Sequence, residues 1–161
     1  MARRVILDTG VLIAIERGKL DVDAALGVDN AAIAAITAME LLVGVERADE
    51  AHRQARAIRV EAILSSLPVE PYSVGIARVH ARLAVEAMAK GRTRSANDMI
   101  IAATAASTSR TLLTTDASAG FDELTGVRAE VLKLLLSPAP LPVTRRPSGF
   151  ANYQARPPPT C

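Results

Sequence analysis

Four carboxylates, Asp8, Glu40, Asp98 and Asp116, each stand where an apolar run meets the segment that follows it. Asp8 follows Val5-Ile6-Leu7, and Asp116 follows Leu112-Leu113-Thr114-Thr115, so both read as strand-end aspartates. Glu40 and Asp98 fall in the first turn of an expected helix. Open parallel sheets bind ligands beyond the carboxyl ends of their strands. Four acids converging there repel one another unless a divalent cation neutralises them. Oxygen donors suit Mg²⁺ or Mn²⁺, and a cation so held assists phosphodiester hydrolysis by activating water and stabilising phosphoryl charge. The two histidines, His52 and His80, stand in charged helical contexts with no partner at ligand spacing, and the one cysteine is Cys161. A hard cation therefore fits better than zinc.

Each acid also has an ordinary structural reading. Thr37-x-x-Glu40 matches a capping box, and Ser95-x-x-Asp98 resembles one. A first-turn acid gains from the helix dipole by about 0.3–1 kcal/mol at a surface. Asp8 alone could be a turn residue bonded to its own backbone. Four separate caps need not lie near one another, whereas four ligands must.

The elements that must place these acids alternate between strand and helix. Arg4–Leu7, Ala31–Ile36 and Thr111–Thr115 read as buried strands, Pro68–Ser73 as a short extended segment and Ala129–Leu134 as a last strand. Helical stretches are expected from Thr9 to about Arg17, at Asp21–Gly27, at Thr37–Arg47 and at Ala51–Leu64, where Ala55, Ile58 and Ala62 share the apolar face. Two more follow at Ile76–Lys90, closed by Gly91, and at Asn97–Ser109. The pattern predicts an α/β fold with a mostly parallel central sheet of about five strands flanked by helices.

Half the residues are apolar, yet only two Phe and two Tyr occur, so the core must be aliphatic. The formal charge is +2. Arg145, Arg146 and Arg156 lie after Pro138 with no acid among them, and the remaining 16 basic side chains meet 17 acidic ones. The basic balance is thus largely a tail effect and does not mark the body as a polyanion binder. Residues 137–161 hold seven of the nine prolines and read as a linker-like basic extension to a domain of residues 1–136. Arg3 and Arg4 before an apolar run faintly suggest a secretory leader, but Asp8 and Glu16 interrupt it. No uncharged run reaches the length of a membrane span. A lone thiol fits a reducing compartment, and a cytoplasmic location is expected.

Four segments in order, "VILDTGVLIAI", "ITAMELLVGVERA", "SANDMIIAATA" and "LLTTDASAGFDEL", resemble the PIN domain, and within it the VapC-type ribonuclease toxins of bacterial toxin–antitoxin pairs. The resemblance covers roughly residues 4–135. It implies an endoribonuclease that leaves a 5′-phosphate and a 3′-hydroxyl, with Mg²⁺ or Mn²⁺ on Asp8, Glu40, Asp98 and Asp116. Thr9, Asn97 and Thr114 match positions that support such a site. A homodimer and a VapB-type antitoxin are implied as well, with antitoxin contact in the region of 51–64. The chain departs from many relatives after Asp116: Gly120 precedes Phe121 where an acid is common, and Asp122 and Glu123 follow.

Two other functions compete. Leu7-Asp8-Thr9-Gly10 matches an aspartic-protease motif, but that chemistry needs two such aspartates sharing a proton, on an all-β fold. A PIN-like binding module that no longer cuts is the other. For the RNA reading, Tyr72 and Phe121 are the stacking candidates outside the tail, and Arg92 and Arg94 are expected to meet phosphates.

Overall fold

Side chains on successive strand residues point to opposite faces, and the central sheet of this protein uses both. The computed structural model describes residues 2–27, 29–92 and 94–135. The elements run β1 (Arg4–Leu7), α1 (Thr9–Glu16), α2 (Val22–Leu26), β2 (Asn30–Ala34), α3 (Ala35–Glu46), α4 (Glu50–Ser66), β3 (Val69–Glu70), α5 (Val74–Ala89), α6 (Ala96–Ser107), β4 (Thr111–Thr114) and β5 (Ala129–Val131). Two 3₁₀ turns, Ala117–Ala119 and Phe121–Glu123, lie between β4 and β5. The strands form one sheet in the order β3-β2-β1-β4-β5, with every adjacent pair parallel.

Register sorts the core into two layers. Ile6 pairs with Ala32 and Leu112, and this row packs with Leu83 and Ala87 of α5 and Met99, Ala102 and Ala103 of α6. Leu7 pairs with Ile33 and Leu113, and that row packs with Val11 of α1, Leu41 and Val45 of α3 and Val60 of α4. A one-residue slip of β1 would exchange the two rows, so burial on both faces fixes the register. At the lower edge Arg110, nearly buried, reaches Asn30 Oδ1 at 2.8 Å and Glu70 Oε1 at 3.1 Å, tying the segment before β4 to β2 and β3.

The predicted α/β architecture is thus the observed one, and a sheet of parallel strands covered by helices excludes the all-β protease architecture. No helix among the described residues is long and apolar enough to cross a membrane. Two differences from expectation concern the helices α3 and α4. Helix α3 begins at Ala35 rather than Thr37, with Ala34 as N-cap. The buried face of α4 centres on Val60, while Ile58 is 64% exposed, so the expected apolar stripe is rotated. The extension at 137–161 lies outside the described residues.

Candidate functional site

The chain leaves β1 to build β2 on one side, while β4 takes the other side. The loops above β1 and β4 therefore diverge, which is the topological switch point where such sheets bind ligands. Asp8 sits directly above β1, and its amide extends the ladder by donating to Leu113 O at 2.9 Å. It is the N-cap of α1 by backbone position, but its side chain makes no capping hydrogen bond there. Instead Oδ2 accepts from Thr114 Oγ1 at 2.8 Å. The same hydroxyl accepts from the Asp116 amide at 3.1 Å, so Thr114 bridges the ends of the two central strands.

Burial pushes the Asp8 carboxyl above the ordinary carboxylate range, and the charges of Asp98 and Glu40 push it in the same direction. The Thr114 hydroxyl and the Thr9 amide pull the other way. Glu40 is the sixth residue of α3, outside its first turn, so the capping-box expectation for Thr37 and Glu40 fails. Its carboxylate accepts from Asn97 Nδ2 at 2.7 Å and, in a short contact, from the Thr9 hydroxyl. Thr37 is wholly buried, and its hydroxyl has no partner among the described residues.

Asp98 occupies the third position of α6. Ser95 caps that helix by accepting from the Asp98 amide at 3.1 Å. The Asp98 carboxylate itself has no hydrogen-bond or ion-pair partner among the described residues. It is half-buried, and its charge acts on Asp8.

Asp116 stands apart from this group. Its Oδ1 accepts from the Ser118 amide at 2.8 Å and the Ser118 hydroxyl at 2.6 Å, capping the 3₁₀ turn at Ala117. Those bonds, the hydroxyl first, hold its carboxyl below the ordinary range. Thr114, Asp116, Asp122, Ala129 and Val131 line one open cleft. Among the described residues no three acidic side chains close around a single point as a metal cage would. The structure thus places Glu40 and Asp98 each within electrostatic range of Asp8 and leaves Asp116 bonded to Ser118.

Several side chains expected to touch substrate do other things. Phe121 is 2% exposed and packs in the core, so it cannot stack a base. Arg94, whose side chain is 7% exposed, donates to the carbonyls of Ala119 and Gly120 and meets Glu123, which also pairs with Arg92 at 3.0 Å. Neither arginine is a free phosphate ligand as it stands. Glu123 is committed to these two cations, whereas Asp122 shares the cleft of Asp116.

Two residues at the site were not singled out from sequence for what they do here. Gly10 lies so close to the β4 loop that a Cβ there would stand 2.7 Å from Thr115 Oγ1. Ser118 holds Asp116, and the Asp-x-Ser spacing was a readable sign of a side chain bonded to the backbone two residues on.

With this geometry in view, the chain can be placed among known proteins. The PIN domain matches residues 5–126. Ribonuclease VapC of Rickettsia bellii (strain RML369-C) is 31% identical over 111 residues, spanning 68% of this chain and 83% of that protein. Ribonuclease VapC5 of Mycobacterium tuberculosis (strain ATCC 25618 / H37Rv) is 35% identical over 111 residues, spanning 69% and 82%. The crystal structure of VapBC-5 from Mycobacterium tuberculosis, a member of the VapBC family of toxin-antitoxin systems, superposes with a TM-score of 0.64 at 32% identity, covering 81% of this chain and 98% of that one. The chain belongs to the PIN domain family, among the VapC ribonucleases.

Proposed function

We propose that this protein is a toxin of the VapC kind that hydrolyses RNA phosphodiesters with Mg²⁺ or Mn²⁺, using Asp8, Glu40, Asp98 and Asp116. The observation that carries the reading is Asp8: a half-buried carboxylate, raised by desolvation and by two neighbouring acids, at the switch point of the sheet. A site that stores this much negative charge gains from a cation. The donor set fits a hard one. It is all oxygen, and Mg²⁺ commonly takes only one or two carboxylates directly and keeps several waters, so a closed cage of protein ligands is not required. Asp8, Glu40, Asp98 and Asp116 would hold the cation, Asp116 by giving up its bonds to Ser118.

The cation, when bound, makes water a stronger nucleophile and stabilises charge on the phosphoryl oxygens. The protein groups do the rest. Thr114 holds the Asp8 carboxylate in place, while Thr9 and Asn97 hold Glu40, so the acids meet the cation with little reorganisation. A carboxylate so fixed can accept the proton of the attacking water. Cleavage of the bond to the 3′ oxygen then leaves a 5′-phosphate and a 3′-hydroxyl.

The partners follow from relatives and from surface. A groove between α1, α3 and α4 runs from Thr9 and Glu40 past Leu41, Arg56 and Val60. A segment of a VapB-type antitoxin lying there would cover Thr9 and Glu40 at the edge of the site. Met39, Leu42 and Val43 on α3 and Val85 and Met88 on α5 are exposed apolar side chains, which supports further contact surfaces, including one for a homodimer. We take residues 1–136 as the catalytic domain, 137–161 as an appended basic extension, and the cytoplasm as the location.

The direct test is a digest of total RNA by purified protein with and without EDTA, followed by end analysis. Cleavage that needs the metal and leaves 5′-phosphate ends is the expected result. Metal-independent cutting would overturn the reading. The Ser118 bonds to Asp116 favour a second reading, a PIN-like module that binds without cutting. The wild-type protein would then show no saturable Mn²⁺ binding.

A further inference from the structure

We propose that Arg94 is a positioning residue that sets Asp116 relative to Asp98. The inference rests on the metal-nuclease reading above. Asp116 opens a single 3₁₀ turn, Ala117–Ala119, and Gly120 ends that turn in the left-handed region at φ 57°. So short a turn has little stability of its own; Gly120 O accepts from the Glu123 amide at 3.2 Å, but Ala119 O has no backbone partner among the described residues. Arg94 supplies one. Nε donates to Ala119 O at 2.7 Å, and an Nη donates to Gly120 O at 2.6 Å.

The guanidinium comes from the residue before Ser95, the cap of α6, and Asp98 is the third residue of that helix. One planar side chain thus fastens the turn that carries Asp116 to the segment that carries Asp98. The seat is built on every side. Glu123 lies 3.2 Å from the guanidinium and balances its charge, and Lys90 in turn donates to Glu123 O at 2.8 Å. A Cβ at Gly120 would stand 3.0 Å from Arg94 Nη2 and 3.2 Å from Glu123 Oε2. Gly120 is therefore required twice, by its backbone and by the space the guanidinium occupies. An isolated Lys could not reproduce this contact, because its ammonium lacks the planar fork.

The test is Mn²⁺ binding by calorimetry on the full chain, for wild type, Arg94→Met, Arg94→Lys and Gly120→Ala, with RNA cleavage and thermal unfolding measured alongside. Substituting a group that orients a metal ligand typically weakens metal affinity or activity about 10- to 100-fold. Arg94→Met should weaken Mn²⁺ binding within that range and lower kcat, with the KM for RNA unchanged. Arg94→Lys should recover only part of the loss. Gly120→Ala, which keeps Arg94 but crowds it, should shift Mn²⁺ binding in the same direction, and this variant decides the matter if Arg94→Met does not fold. Unaltered Mn²⁺ affinity in the folded variants would overturn the proposal. So would a raised KM for RNA with metal binding intact, which would make Arg94 a substrate contact. A wild type that binds no Mn²⁺ would instead overturn the nuclease reading on which the proposal stands.

Discussion

Asp8 and Asp116 end the two central strands of one sheet and share a single hydroxyl, yet their surroundings differ sharply. Asp8 is half-buried, its carboxyl raised by desolvation and by Asp98 and Glu40. Asp116 is open to solvent, its carboxyl lowered by Ser118. One is held in an unfavourable charged state by the fold, and the other is comfortable where it is. The comparison indicates a division of labour. On the proposed reading, hydrogen bonds hold the Asp8 side of the site before any cation arrives, and the Asp116 side would exchange one set of bonds for another.

The largest effect should come from Asp8→Asn. It should lower RNA cleavage by more than about 100-fold, the rate equivalent of the several kcal/mol a metal site supplies. The same change should raise the melting temperature of the metal-free protein, because it removes a buried charge that burial disfavours. Cleavage assays and calorimetry on one preparation test both halves, and a lower melting temperature would contradict the asymmetry.

Thr114→Val keeps the shape of the bridge and removes its hydroxyl. Hydrogen bonds to charged groups contribute about 1.5–3 kcal/mol, so chemical denaturation at neutral pH should show a loss of that size. The contribution should shrink as Asp8 becomes protonated.

Titration gives a finer test. The native pKa of Asp8 lies above its unfolded value, so between the two the native state binds more protons and stability falls as pH rises. Asp116 has the opposite sign: its contribution is present above the unfolded pKa and is lost as pH falls through the lowered native one. On the proposed reading, cation binding needs Asp8 ionised. Mn²⁺ affinity should therefore decline on acidification at a higher pH than an ordinary carboxylate site would show, and Asp8→Asn should remove that decline. Isotherms across the acidic range would settle the sign.

The smallest effect is expected from Ser118→Ala. A surface change of this kind usually stays within about 0.5 kcal/mol of stability. It should nevertheless tighten Mn²⁺ binding, because Asp116 loses the competing Ser118 hydroxyl and keeps only the backbone amide of residue 118. Weaker binding would mean that Ser118 holds Asp116 in its working position.

How far this site could be read from sequence depended on what kind of signal each residue left. The sheet was legible because β1, β2 and β4 carry short continuous apolar runs, buried on both faces, between segments of helical spacing. The start of α3 was not, because its N-cap is Ala34, a residue with no side chain to cap with. The nearest capping signal, Thr37, was read in its place. The apolar stripe of α4 was misjudged because Ile58 looks like a core residue until neighbours select Val60 instead. Arg94 is the hardest case. Its position beside Asp98 was visible, but the carbonyls it meets are 25 and 26 residues away, and no local pattern names them.

The Thr114 bridge has a consequence for how the protein comes into being. It joins residues 106 positions apart. During synthesis β1, β2 and the intervening helices emerge well before β4, so Asp8 waits without its hydroxyl partner until most of the domain has left the ribosome. A nascent chain that ends before Thr111 has Asp8, Glu40 and Asp98 in its sequence but no strand against the open side of β1. On the proposed reading, the cell that makes this enzyme is exposed to it only after the chain is nearly complete, at the moment when an inhibitor can also recognise a finished surface.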